Sequence, residues 1–541
     1  MVIYILIHLV ALLSCIVFHN KENMSSIDLK NMKSFFKTNL RYITIVAFLF
    51  AAFLIAGKLK SGYHMDEFFT FGLSNHQFSS THRIGLNIED GMHYNGEEIW
   101  DEYLTVSEGG RFDYANVWEN QEHDVHPPLF YVLIHTVSSI FPDMSIKRIG
   151  LLVNIPLALL AFLQYTRLLA GLNINDKSAT ALAAFFVLSY GFVDFAVVFF
   201  RMYTLLAIWM NALILLFLKY RPDCEGKFLY YFLLGTVLLG GILTQYYFLI
   251  FAFFACLLYA VYVILAKKWK KLILSVITVI FSIILSFLIF PGIKHHIFES
   301  YRGKEAFANA SSAGFLDNLW RYLNLINMDI FGGLFTVLLA IALCLAIILT
   351  QKNHLILSLY PYMILIVPVC LYVLVIAKIS PYLTMRYCIS NMGLLYVGLL
   401  GLLLNMATRI SERAGRYILF LAVIMLFSGY RKMPSNMYVE EKNNVATAKE
   451  NADIPCVYLY TYTWKIPPNL QEIRQFNDIV FINADHWDNE KGDFAQYESI
   501  VVFLDNEKKP LLDQIKEHTG LEDSQVLYKF GYTTTYILSQ K

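Results

Sequence analysis

The sequence predicts a polytopic, all-α membrane domain followed by a small α/β domain, and three observations carry that prediction. Of 541 residues, 57% are hydrophobic and only 16% charged, with a mean hydropathy of +0.51, where a soluble domain carries roughly 25% charged residues. Eleven mostly apolar runs recur along the chain, each near the ~20 residues a helix needs to cross the hydrocarbon core. From residue 450 onward the pattern changes to short β-branched runs separated by polar stretches, the alternation of a strand-rich domain.

Taken in order, residues 1–18 (MVIYILIHLVALLSCIVF) are apolar but lack the basic start and small-residue cleavage site of a signal peptide. They read as a twelfth span, or else the start lies at Met24 or Met32, after which Lys33, Lys37 and Arg41 make a cytoplasmic N-terminus. The eleven runs lie near 39–57, 147–169, 178–199, 202–219, 228–245, 246–266, 271–291, 331–350, 354–377, 388–406 and 415–430. The stretch 128–141, PLFYVLIHTVSSIF, has 14 residues and is short for a span. Charge decides its place. If it lies along the interface, Lys30/Lys33/Lys37/Arg41, Arg167/Lys177, Lys219/Arg221/Lys227, Lys267/Lys268/Lys270/Lys271 and Arg409/Arg413/Arg416 all fall on the cytoplasmic side, as the positive-inside rule requires. Residues 58–146, 292–330, 378–387 and the tail from about 431 then lie outside the cytoplasm.

The expected organisation is a hydrophobic segment and linker over 1–38, a transmembrane domain over 39–430 with 58–146 as its first external loop, and an extracytoplasmic α/β domain over 431–541. The first loop is acidic and rich in His and aromatics, among them Tyr63, Trp100, Tyr103 and Trp118, which argues for interfacial helices rather than disorder. In the tail, CVYLYTYTW, DIVFINA, YESIVVFLD and TTTYILS read as strands, and LQEIRQF and LLDQIKEHTG as helices. The net charge of +1 gives no field for nucleic acid. Seven scattered cysteines form no CxxC site or disulfide framework.

Five stretches at the outward ends of the spans carry the chemistry. They are Asp66-Glu67 after the first main span, HDVHPP at 123–128, Arg201-Met202-Tyr203, Thr244-Gln245-Tyr246-Tyr247 and Arg386-Tyr387. Ionisable groups at membrane depth are costly and face a cavity or a partner. Two arginines on one face suit a phosphate, whose oxygens match the guanidinium fork. His123, Asp124 and His126 have metal-compatible spacing without a partner motif, and Pro127-Pro128 open the following helix.

These residues resemble a known family. A DE pair after the first span, D-x-HPPLxY at the end of the first loop (Asp124 to Tyr131), R-M-Y at a later outer turn and R-Y near the last one are similar to the bacterial multi-pass glycosyltransferases of the GT-C fold. These include the protein O-mannosyltransferases and the lipid A aminoarabinose transferases. The resemblance covers roughly 39–430, and HPPLFY is its most specific element. It implies transfer of a hexose or pentose from a polyprenyl phosphate carrier to a protein, lipid or glycan acceptor on the outer membrane face, with Asp66 in the place of the catalytic aspartate and Glu67 beside it. Asp124, His126, Gln245 and Tyr246 would line the substrate pocket, and Arg201, Arg386, Tyr203 and Tyr387 would hold the donor phosphate. Many relatives have His-Tyr where this chain has Gln245-Tyr246.

The chemistry needs few groups. Polyprenyl phosphate leaves as a stable anion, so one carboxylate to take the acceptor proton and cations to receive the phosphate are sufficient. A single displacement inverts the anomeric centre. The absence of D-x-D and G-x-G-x-x-G from the sequence fits a lipid-linked donor rather than a nucleotide sugar. No cofactor is called for, and a divalent cation on the acidic loop stays open. The competing readings are a polysaccharide polymerase or ligase using lipid-linked glycan, and a secondary transporter, which internal repeats and midplane charges would mark.

Overall fold

The computed structural model describes residues 29–78, 85–311, 313–351, 359–487 and 494–540. The apolar run 1–18 and Met24 lie outside the described residues. The chain divides into two compact units, each assembled from separated segments. The first takes the described part of 1–56 with Asn154–Val197 and Met202–Pro434. The second takes Gly57–Val153, Val198–Arg201 and the described chain from Ser435.

Each of the eleven apolar runs holds helix. Six helices are long and apolar enough to cross a membrane: Leu40–Leu59, Ile146–Gly171, Tyr247–Leu265, Trp269–Ile289, Tyr360–Ile379 and Ile389–Ile410. A pair bent by 57°, Asp176–Val187 and Tyr190–Val197, brings the number to seven among the described residues. The other runs give helices of 15 to 18 residues, from Phe228–Ile242 to Glu412–Gly429, about 22–27 Å long at ~1.5 Å per residue. Leu129–Ile140 has 12 residues, too few to cross the ~30 Å core.

Two helices show how the first unit meets its surroundings. Only 11% of the apolar window of Trp269–Ile289 is buried, and Ile273, Ile277, Ile280, Phe281, Ile284 and Leu288 stand exposed along one side. Such a stripe suits hydrocarbon rather than water. Ile389–Ile410 is the reverse, 89% buried. Its close packing rests on Gly393, where a Cβ would overlap the buried ring of Tyr165, the small-residue contact that lets membrane helices approach. Polar side chains bridge helices too: Asn211 Nδ2 donates to Gln164 Oε1 at 3.2 Å, and Gln164 Nε2 to the Ile208 carbonyl at 3.2 Å.

The second unit contains one sheet built from β1 (His93–Tyr94), β2 (Cys456–Tyr460), β3 (Ile479–Asn483), β4 (Ser499–Asp505), β5 (Asp523–Phe530) and β6 (Thr533–Ser539), in the order β1-β3-β2-β4-β6-β5. Strands β2, β3 and β4 are parallel and the other pairings antiparallel. All of β2 is buried, as a parallel strand covered on both faces should be. Val457 and Leu459 join a core with Ile482, Val502, Leu504, Ile515 and Leu538, while Tyr458 stacks on Phe503 at 5.2 Å. The four strands and both helical segments read from the tail sequence are present. The polar, largely exposed β5 and the two-residue β1 are additions, because an exposed edge strand has no apolar alternation to reveal it.

The first loop is helical, with Met65–Asn75, Gly96–Leu104, Tyr114–His123 and Leu129–Ile140. It does not cluster with the membrane helices as the expected boundaries had it, but with the tail. Backbone pairing is the cause: His93 lies opposite Val480 and Tyr94 opposite Ile479, Gly91 N–H donates to Phe481 O at 3.0 Å and Gly96 N–H to Phe476 O at 3.0 Å. Glu97 also pairs with Arg474.

Replacing Gly393 with Val forces the Tyr165 ring aside. A loss of about 1–3 kcal/mol is expected, as for other overpacked sites, read as a lower thermal midpoint of the detergent-solubilised protein.

Candidate functional site

The second unit holds Asp66, Glu67, Asp124, His126 and Arg201, all on or against the helix Met65–Asn75. His64 caps that helix: its Nδ1 accepts the Asp66 N–H at 3.0 Å, while Glu67 Oε2 accepts the His64 N–H at 2.8 Å. This is a reciprocal capping box, and two carboxylates in the first turn suit the positive end of the helix.

The two carboxylates have different surroundings. Glu67 is fully buried. Its Oε2 accepts from Lys60 Nζ at 2.9 Å and its Oε1 from the Phe200 N–H at 2.9 Å. Burial pushes its pKa above the ordinary carboxylate value, with the Lys60 ammonium and the two N–H groups pulling against it. Lys60 Nζ also donates to the Asn436 carbonyl at 2.6 Å and lies 5.1–5.6 Å from the ring centres of Phe200, Tyr63 and Tyr438. The Asp66 side chain keeps 23% of its surface exposed, beside His64 at 31%.

Arg201 fastens the same turn. Its Nη1 donates to the Asp66 carbonyl at 3.1 Å, to Thr70 Oγ1 at 2.8 Å and to Tyr131 OH at 3.2 Å. Its Nη2 lies 3.2 Å from His126 Nε2. Because a guanidinium only donates, His126 accepts at Nε2 and carries its proton on Nδ1, which is 2.7 Å from Asp124 Oδ2. Burial raises the Asp124 pKa, but the His126 contact, with the more distant Arg201, outweighs it and leaves the carboxyl below its ordinary value. The HDVHPP stretch thus supplies a relay from Asp124 through His126 to the arginine that holds the Asp66 turn. Among the described residues no group of three or more His, Cys, Asp or Glu is placed to hold a metal ion.

The first unit holds Tyr203, Gln245, Tyr246, Arg386 and Tyr387, so the five stretches divide between the units. Arg386 sits on the 3-10 turn Met385–Tyr387, donates from Nη2 to Tyr387 OH at 3.2 Å and lies 5.1 and 5.8 Å from the ring centres of Tyr387 and Tyr382. The Tyr387 carbonyl accepts from Tyr372 OH at 2.6 Å. Gln245 Oε1 accepts the Tyr246 N–H at 2.8 Å, and Tyr246 OH lies 2.8 Å from His296 Nδ1. Tyr203 is buried, with its carbonyl bonded to Ser390.

Three residues here escaped the sequence reading. His296 meets Tyr246, and Arg302 lies 5.1 Å from the same Tyr382 ring that Arg386 covers. The signal was the stretch KHHIFESYRGK at 294–304, basic and aromatic between two apolar runs. In the second unit the third is Lys60, which falls in the stretch 58–146 expected as the first external loop and belongs to no motif.

No family model matches the sequence, and no curated protein does. Among solved structures, ArnT from Cupriavidus metallidurans bound to undecaprenyl phosphate is similar over 93% of this chain and 98% of that chain, with a TM-score of 0.51 at 10% identity. The fold is GT-C-like. ArnT in the apo state gives the same values. The oligosaccharyltransferase AglB from Archaeoglobus fulgidus, in complex with an inhibitory peptide and a dolichol-phosphate, covers 86% of this chain and 70% of its own, with a TM-score of 0.40 at 10% identity.

Lys60→Met strands the Glu67 carboxylate in the interior. A loss of about 3–5 kcal/mol is expected, as when one partner of a buried pair is removed, measurable by thermal or denaturant unfolding. A second expectation concerns Glu441, whose Oε2 accepts the Tyr63 N–H at 3.3 Å and sits where Gly62 has no Cβ. Burial pushes its pKa up to about 8, against the pull of the Tyr63 N–H and Lys60, with Glu67 adding to the rise. An acid raised in the folded state keeps a proton that the unfolded chain releases, so stability falls as pH rises from about 4.5 to about 8. The slope is at most ~1.4 kcal/mol per pH unit. Glu441→Gln should flatten that dependence, gaining over the wild type at pH 8 more than at pH 5 in thermal scans.

Proposed function

We propose that this protein is a membrane glycosyltransferase that moves a sugar from a polyprenyl phosphate carrier to an acceptor hydroxyl on the extracytoplasmic face. The observation that carries this reading is the Asp66 turn: a carboxylate with 23% of its side chain exposed, on a helix start held by His64, Glu67 and Arg201, with Glu67 in turn bonded to Lys60. A general base has to be held in place while its own oxygens stay reachable. The GT-C-like fold supports the reaction class, and the undecaprenyl phosphate bound by ArnT supports the donor class.

In this reading Asp66 takes the acceptor proton as the acceptor oxygen attacks C1 of the sugar. The C1–O bond to the phosphate breaks, and polyprenyl phosphate departs with the electron pair. Attack opposite the leaving group inverts the anomeric centre. Glu67 and Arg201 are positioning residues. Arg201 is 3% exposed with its guanidinium engaged by the turn, so the phosphate falls to Arg386, whose fork is flanked by Tyr387 and Tyr382. Asp124 and His126 act through Arg201. His296, bonded to Tyr246, supplies the imidazole that the Gln245-Tyr246 turn lacks. The positive-inside distribution supports a first loop and tail outside the cytoplasm.

The test is transfer from radiolabelled undecaprenyl phosphate sugars by the purified protein in nanodiscs, with membrane extract as acceptor. Asp66→Asn should lower turnover about 10³-fold with donor affinity kept. Arg386→Ala should raise the donor KM about 10- to 100-fold, the loss of a charge-assisted bond. Full turnover by a folded Asp66→Asn protein removes the base assignment.

A further inference from the structure

Strands β3, β2 and β4 lie side by side and parallel, with β2 first in sequence and in the middle. The connection from β2 goes to one side and the connection from β3 returns past β2 to the other. The carboxyl ends of β2 and β4 therefore form a topological switch point, the place where open α/β sheets leave a crevice for ligands. The membrane chemistry above uses none of it.

What the sequence puts there is specific. After β2 come Tyr462, Trp464 and Lys465; Asp505 ends β4 and Glu507 follows it; and Tyr532 arrives just before β6, its carbonyl accepting the Asn506 N–H at 2.9 Å. Tyr462 and Trp464 are 59% and 38% exposed, their rings stacked 6.2 Å apart at 18°. Tyr532 meets Trp464 edge-on at 5.4 Å. Beneath them Lys465 is nearly buried, bonded to Asp505 and Glu507 at 3.0 Å each, and its ammonium lies 5.5–6.0 Å from all three ring centres. Asp505 is further held by Thr461 Oγ1 at 2.5 Å. Two near-parallel aromatic rings are thus left partly exposed on a base of fixed charges.

We propose that this platform binds a saccharide. The C–H groups on one face of a pyranose lie against the negative face of an aromatic ring, and the hydroxyls around the ring's edge need charged acceptors such as Glu507, which is 67% exposed at its side chain. Tyr532 OH also reaches Met65 Sδ at 3.6 Å, one residue from Asp66, so the platform and the proposed base belong to one unit. On the transferase reading the saccharide is the acceptor glycan; the binding itself does not depend on that reading.

Titration calorimetry of the full-length protein in nanodiscs with chitotetraose, mannotetraose and maltotetraose tests it without turnover, so it can fail while the transfer assay succeeds, and the reverse. At least one probe should bind, with Trp464→Ala and Tyr462→Ala each weakening it about tenfold and Trp464→Phe retaining most of the affinity. Both positions are exposed, and thermal scans check that the variants stay folded. The proposal is overturned if no probe binds at about 10 mM, a Kd worth under 3 kcal/mol, or if affinity is the same in Trp464→Ala. It is overturned equally if brominated lipid quenches Trp464 and no sugar relieves the quenching, which would make the rings a membrane anchor.

Discussion

Taking a lysine and a glutamate out of water costs several kcal/mol per ion unless each finds the other and further hydrogen bonds besides. Lys60 and Glu67 meet that condition, and the second unit is arranged around them. The pair links the end of the first span to the helix Met65–Asn75, and through Asn436 and Phe200 it draws in two segments far away in the chain. A hydrophobic pair of the same volume would pack as tightly but could not fix direction. The hydrogen bonds make one rotation of the helix start the satisfied one, and Asp66 is oriented as a result.

Neighbouring residues on a helix point about 100° apart. Two adjacent carboxylates at a helix start therefore cannot share an environment: if one is driven inward, the other is turned along the rim. Here Glu67 goes in and Asp66 stays partly in water. The doubled acid is a division between a buried anchor and a partly exposed carboxylate, set by helix geometry.

Much of this was legible in the chain. Apolar runs near the length of a span located the six long apolar helices and the bent pair among the described residues, because hydrocarbon forces all backbone bonds inside a segment and leaves a long, simple signal. The buried β2, β3 and β4 announced themselves as apolar runs for a related reason. The candidate residues Asp66, His126 and Arg201 were also visible, charged groups beside apolar sequence. Their grouping was not. That Arg201 belongs with Asp66, and Tyr246 with His296, depends on contacts across 135 and 50 residues, and no local pattern encodes such distances. Lys60 was hidden by its position, since a lysine just past an apolar run, at the start of a polar loop, is expected to stay in water rather than turn inward. Strand β1 is two residues long, below any periodicity.

That short strand bears on how the protein is made. The first loop finds its sheet partner only in Ile479 and Val480, more than 380 residues later in synthesis. At roughly 5–20 residues per second, the acidic loop waits tens of seconds for the segment that completes it. For most of that interval the Asp66 turn lacks the Asn436 carbonyl on Lys60 and the Glu441 contact at Tyr63. The Asp66 turn is thus among the last parts of the molecule to mature, completed after the described apolar helices have been made, and a nascent chain cut short in the tail carries the residues of the turn without its full set of contacts.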